Sequence, residues 1–200
     1  MTAPRPASHR ALLRASVAAA TALLGITVGM SSASASGAGA TDVPFAAQAK
    51  QAGLNATQAK ALQTRVNGYL AQTGGTQTAA NEITYSPAAG GGTLTLTLPG
   101  EKKARSLNPT ATLGGDCAYY WFCAFAESGY NGDSRKAEKC NTNTFIPWTT
   151  TNGSWINNQT AGTRAKFKNS GYGIIGYSAG AYAAQSYGVN WTSVYYIDPC

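Results

Sequence analysis

The stretch that decides the fold is Cys117-Ala-Tyr-Tyr-Trp-Phe-Cys123-Ala-Phe125-Ala-Glu-Ser-Gly-Tyr130-Asn-Gly132. It opens with an aromatic, strand-forming run between two cysteines. It then breaks into a small polar turn, 127–133, and returns through a basic run, 134–139, to Cys140. That order predicts a β-hairpin with a tightly folded corner. Within it Phe125, Tyr130 and Gly132 stand in the pattern aromatic, four residues, aromatic, one residue, glycine. Gly132 supplies a backbone angle that a Cβ would resist, and Tyr130 can cover the turn.

Working outward, residues 116–200 are rich in Tyr, Trp, Gly, Asn and Thr. Strands are expected at 118–125, 134–140, 163–168, 172–177 and 192–197, separated by Asn131-Gly132, Asn152-Gly153, Ser170-Gly171 and Ala179-Gly180. Short strands at this spacing predict a mainly β fold, an all-β sandwich. The segment 181–186 reads as strand or helix.

All four cysteines, Cys117, Cys123, Cys140 and Cys200, lie in this region. An even count in an exported chain predicts two disulfides. A continuous strand from Cys117 to Cys123 would separate them by about 20 Å, too far for a bridge without a break in the strand. A hairpin centred on 127–133 sets Cys140 opposite the start of the first strand. The expected pairing is therefore Cys117–Cys140 with Cys123–Cys200.

Residues 1–35 read as a signal peptide. Arg5, Arg10 and Arg14 precede the apolar run Ala15 to Met30, and Ala33-Ser34-Ala35 is a cleavage site. The run is short for a membrane anchor and contains Thr21, Gly25 and Thr27. Secretion is expected, with no membrane attachment afterwards. Removing the three arginines lowers the formal charge from +7 to +4. Residues 116–200 carry six basic and five acidic side chains, so no nucleic-acid footprint is expected.

The segment 36–100 reads as a helix followed by a β-ribbon. Asn55 and Gln58 form a capping box, and Ala59, Leu62, Val66 and Leu70 make one apolar stripe within a helical pattern spanning 45–70. Gly74-Gly75 stops the helix. Leu94, Leu96 and Leu98 alternate with threonines on one side of a strand. With few large apolar residues, this unit either folds against the C-terminal domain or serves as a prosegment. Residues 101–115, with Lys102, Lys103 and Arg105, read as an exposed linker to the domain at 116–200.

The Phe125-x4-Tyr130-x-Gly132 corner is the signature of the βγ-crystallin Greek-key motif. With the flanking cysteines and Trp155-Ile-Asn-Asn-Gln-Thr-Ala-Gly-Thr-Arg-Ala-Lys-Phe167 after it, the chain resembles the secreted actinobacterial peptidase inhibitors of family I36. The resemblance covers 114–170 closely and 171–200 loosely. It implies a crystallin-like Greek-key sandwich and a binding protein whose partner is a secreted peptidase. Under it, a second, degenerate corner falls at Tyr177-x4-Tyr182, followed by Ala184 where glycine belongs. Asn157 and Asn158 match the paired Asn/Asp of calcium-binding crystallin domains. Ala161 lacks the hydroxyl expected of a ligand there, so the two asparagines are read as turn residues and no metal or other cofactor is expected.

Catalysis is not expected. Gly176-Tyr177-Ser178-Ala179-Gly180 matches a nucleophile elbow, but the only histidine is His9, so Ser178 is read as structural. The remaining carboxylates, including Glu127 and Asp133, read as solvated turn charges rather than a glycosidase pair. The aromatic series Tyr172, Tyr177, Tyr182, Tyr187, Trp191, Tyr195 and Tyr196 reads partly as core and partly as binding surface. The leading reading is a monomeric inhibitor. The candidate contact loop is Pro147, Trp148, Thr149, Thr150 and Thr151, restricted by Pro147 and the Asn152-Gly153 turn; its alternative is a crossover with Trp148 packed inward. The alternative function is a structural or cell-envelope, carbohydrate-binding module, and a small carboxylate-dependent hydrolase ranks third.

Overall fold

The computed structural model describes residues 44–111 and 117–200. The expected signal segment and cleavage site lie outside the described residues. The described residues form one compact unit.

Two helices open it, α1 (Ala46–Gln51) and α2 (Ala56–Thr73). The single helical pattern of 45–70 is broken at Gly53, whose φ of 87° ends α1. The capping box is formed: the Asn55 side chain accepts from the Gln58 N–H, and the Gln58 side chain accepts from the Asn55 N–H. Gly74 caps the far end, its N–H donating to the Leu70 carbonyl. The ribbon has three strands, β1 (Thr76–Ala79), β2 (Glu82–Thr84) and β3 (Thr93–Thr95). Leu94, Leu96 and Leu98 are buried, as their alternation requires.

The remaining strands are β4 (Trp121–Phe125), β5 (Ser134–Ala137), β6 (Thr144–Phe145), β7 (Gly153–Asn158), β8 (Lys166–Lys168), β9 (Ile174–Tyr177), β10 (Ala183–Val189) and β11 (Tyr196–Asp198). They build a mainly β sandwich of two antiparallel sheets. One runs β1-β2-β3-β5-β4-β7-β10, the other β6-β11-β8-β9. Two Greek keys are interleaved: β4 to β7 and β8 to β11 each send their third strand into the other's sheet. The ambiguous segment 181–186 contributes to β10, a strand.

β3 pairs with β5, Leu94 opposite Arg135, so the ribbon continues the seven-stranded sheet rather than forming a second core. One row, Ile83, Leu94, Arg135, Ala124 and Trp155, crosses five strands on the inner face. Helix α2 lies on that side over the ribbon, where Gln63 bonds Gln77 at 2.8 Å. The small sheet covers the rest, with Phe167 against Phe122 at 6.0 Å between ring centres. Burying Leu62 and Val66 of α2 contributes roughly 1.5–3 kcal/mol each. Arg135 is carried inside the same layer. Its guanidinium donates to the carbonyls of Gly91, Thr93 and Lys136 and lies 4.0 Å over the Tyr85 ring. Burial lowers its pKa to about 10.

Residues 101–111 run along the sheet. Buried Asn81 donates to the carbonyls of Leu96 and Arg105 and accepts from the Leu107 N–H, while Ser106 and Asn108 donate to the Glu82 carboxylate.

The disulfides differ from the expected pairing: they are Cys117–Cys123 and Cys140–Cys200. The strand begins only at Trp121, and Tyr120 adopts a φ of 75°. That turn brings Cys117 and Cys123 to 5.9 Å between Cα atoms, the break a local bridge requires. Cys140 lies beyond the end of β5 and meets Cys200, with Cα atoms 5.0 Å apart. The two loops differ in leverage. In the chain-entropy picture closing six residues stabilises by about 2 kcal/mol and closing sixty by about 4.

Candidate functional site

The corner after β4 is held by backbone geometry and side-chain hydrogen bonds. Gly129, Tyr130 and Gly132 have φ of 69°, 61° and 75°. A Cβ on Gly132 would lie 3.0 Å from both the Ala126 Cβ and the Glu127 Cγ, so glycine is required on two counts. Tyr130 packs edge-on to Phe125 at 5.6 Å. The corner is locked by Ser154 on β7, whose hydroxyl accepts from the Tyr130 N–H at 3.0 Å and donates to the Glu127 carbonyl at 2.6 Å.

Asp133 is not a solvated turn charge. It is 5% exposed and accepts from the Thr97 N–H, the Thr97 and Tyr69 hydroxyls and Arg65. The acid thereby fastens α2 to the corner. Burial, with the Asp133 charge beside it, pushes the Tyr69 phenol well above its ordinary range. Glu127 remains exposed, so the two carboxylates point to different environments.

Opposite the corner runs 146–152, the crossover from the small sheet to the large one. Its side chains alternate. Ile146 and Trp148 are buried in the core, and Thr149 and Thr151 are exposed. Trp148 is therefore an inward anchor, and the free part of the candidate loop is narrower than 147–151. Thr150 holds it on both sides: its hydroxyl donates to the Ala126 carbonyl, and its carbonyl accepts from the Trp191 N–H at 2.8 Å. The Asn152 side chain accepts from the Gly188 N–H at 2.9 Å. Gly153 permits the close approach beneath: a Cβ there would overlap the Trp191 indole, which donates to the Phe125 carbonyl at 2.9 Å.

Between corner and crossover lies an open groove of about 440 Å³, lined by Ala126, Glu127, Ser128 and residues 149–152. Both walls are pinned by hydrogen bonds, so the groove is preorganised. It offers hydroxyls and one exposed carboxylate, Glu127.

The other sequence candidates lie elsewhere. Asn157 and Asn158 are on β7, not in a turn. Asn157 is buried, its amide donating to Thr163 O, Ser178 Oγ and Ala179 O, and Asn158 donates to Cys117 O. Ser178 is 1% exposed; its hydroxyl accepts from Asn157 and the Ala165 N–H and donates to Ala179 O. The strand β10 follows it, where a nucleophile elbow needs a helix.

The second corner is at Phe167–Tyr172, not Tyr177–Tyr182. Phe125-Ala-Glu-Ser-Gly-Tyr130 and Phe167-Lys-Asn-Ser-Gly-Tyr172 repeat the same spacing, and Tyr172 has a φ of 65°. Here the Asn169 side chain accepts from the N–H groups of Gly171 and Gly173. That repeat was the available signal for the second key. Of the aromatic series, Trp191 is core, Tyr196 is half-buried, and Tyr172, Tyr177, Tyr182, Tyr187 and Tyr195 are exposed.

Fold and groove together define a double Greek-key β-sandwich with a helix-backed extension of one sheet. No family model matches the chain, and no curated protein or solved structure matches it.

Proposed function

We propose that this chain is a secreted binding protein of the peptidase-inhibitor type, acting without catalysis through the groove edge formed by Glu127, Thr149 and Thr151. The observation that carries this reading is the double clamp on Thr150, between Ala126 and Trp191. A loop held extended before it meets its partner loses little conformational freedom on binding, which is what an inhibitor loop needs. The two disulfides fit an extracellular setting, the export-like N-terminal sequence agrees with it, and the resemblance to family I36 points to the same class of partner.

The test is inhibition of a panel of secreted bacterial metallo- and serine peptidases by the mature chain. Thr149→Ala and Thr151→Ala remove only exposed side chains and leave the Thr150 clamp in place. The double variant is expected to raise the inhibition constant at least tenfold at unchanged melting temperature. Failure to inhibit any member of the panel, or undiminished inhibition by the double variant, overturns the reading.

A further inference from the structure

The outer face of the large sheet, at the end of β4 away from the groove, is a second surface with its own chemistry. Register fixes which side chains point outward there: Trp121 lies opposite Asn158, and Cys123 opposite Ile156, which in turn faces Ala184. No charged residue occurs between Asp116 and Glu127, between Lys139 and Arg164, or between Lys168 and Asp198. β4, β7 and β10 all fall within these gaps, so these three strands are charge-free; beside them β5 sets Lys136 opposite Cys123.

Tyrosines stand at its end. The Cys117–Cys123 bridge holds 118–120 in a turn off the strand, and the φ of 75° at Tyr120 belongs to that turn. Tyr119, Tyr120 and Tyr182 are 44%, 59% and 65% exposed. The Tyr119 ring lies 4.0 Å from Tyr120 and 6.2 Å from Tyr182, the latter pair near parallel at 23°. From this cluster the face runs along β4 for about 13 Å at ~3.3 Å per residue.

We infer that this face binds an uncharged polysaccharide, with Tyr119, Tyr120 and Tyr182 stacking on pyranose rings. Exposed tyrosine rings give rigid, amphipathic contact area, apolar on the face and hydrogen-bonding at the hydroxyl. A sugar ring has the matching character, C–H groups on its faces and hydroxyls around its rim. A nucleic acid would need clustered cations to meet its phosphates, whereas β4, β7 and β10 carry none and β5 sets the single Lys136 at their margin, opposite Cys123. A protein partner would need an apolar anchor pocket; the floor here is Asn158, Ala184 and the half-buried Trp121 and Ile156.

The mature chain is tested for retention on microcrystalline cellulose, chitin and curdlan, with alginate as the charged comparison, in 0.15 M and 1 M NaCl. Retention on at least one neutral polymer, insensitive to salt, is expected. Tyr120→Ala and Tyr182→Ala are each expected to weaken it about tenfold at unchanged melting temperature. Tyr195→Ala, an exposed tyrosine beside the small sheet, and Thr149→Ala, at the groove, are expected to bind as the parent does. The last control separates this inference from the inhibitor reading. The inference is overturned by no retention on any neutral polymer, by retention that salt abolishes, or by equal retention of both tyrosine variants. It is also overturned if sedimentation shows a parent dimer that Tyr182→Ala converts to monomer, because the face would then be covered by a second copy.

Discussion

Replacing Asp133 with Asn tests whether the N-terminal helix and the Greek-key corner are one cooperative structure. The carboxylate is 5% exposed, and its five contacts join α2, the end of the ribbon and the corner. Asn has nearly the same shape but only one acceptor oxygen. If that oxygen keeps the Thr97 N–H, the new NH2 faces Tyr69, whose hydroxyl can rotate to accept, and Arg65, which cannot. Hydrogen bonds to a charged group contribute about 1.5–3 kcal/mol. The Arg65 side chain is 42% exposed and can turn to water, so its ion pair adds no more than about 1 kcal/mol. The expected loss is therefore about 2–4 kcal/mol, a large share of a stability of roughly 5–15 kcal/mol. Urea unfolding should be followed by tryptophan fluorescence, which reports Trp121, Trp148, Trp155 and Trp191 in the sandwich, and by far-ultraviolet dichroism, which reports α2. Both transitions should move together to lower urea by about 1–2 M. Arg65→Met should cost less than about 1 kcal/mol. A loss below about 0.5 kcal/mol for Asp133→Asn, or separate transitions by the two probes, would refute the clamp. If Arg65→Met costs as much as Asp133→Asn, the ion pair and not the buried hydrogen bonds holds the junction.

Two further outcomes follow from local geometry. Gly132→Ala should destabilise by about 1–3 kcal/mol, because it combines a positive φ with a Cβ pressed on Ala126 and Glu127; a loss no greater than that of Gly100→Ala, whose Cβ would meet open space, would contradict this. Burial pushes the Asp198 carboxyl up, but hydrogen bonds from Lys166, Lys168 and the Asn141 N–H outweigh it and hold the group below its ordinary range. Its folded pKa thus lies below the unfolded one, so its contribution is full above about pH 4 and is lost as pH falls through the folded pKa. Melting temperatures of Asp198→Asn and the parent should therefore converge on acidification below pH 4, and a gap that stays constant down to pH 2 would count against the assignment.

What the sequence determined by itself was local. The Asn55–Gln58 capping box, the Gly74-Gly75 stop, the alternation of Leu94, Leu96 and Leu98, and the corner at Phe125, Tyr130 and Gly132 each depend on residues within a turn or two of one another. A one-chain reading contains those physics in full, and it was enough to place a mainly β sandwich at the C-terminus. The groove was legible only in outline: Thr149 and Thr151 are exposed beside it, but Trp148 turned inward, because a large indole gains more from the core than from the loop surface.

What only the tertiary structure decided was long-range. The Cys117–Cys123 bridge goes with a turn in which Tyr120 takes a positive φ, a conformation that the strand-forming side chains around it argue against. Asp133 reads as a turn residue until Arg65 and Tyr69, more than sixty positions earlier, arrive on it. Asn157 reads as a turn residue until Thr163, Ser178 and Ala179 surround its amide on β7. That the ribbon joins the large sheet rests on the pairing of β3 with β5, Leu94 opposite Arg135. In each case the deciding partner lies far along the chain, and no local propensity encodes which distant group will satisfy a buried donor, acceptor or strand edge.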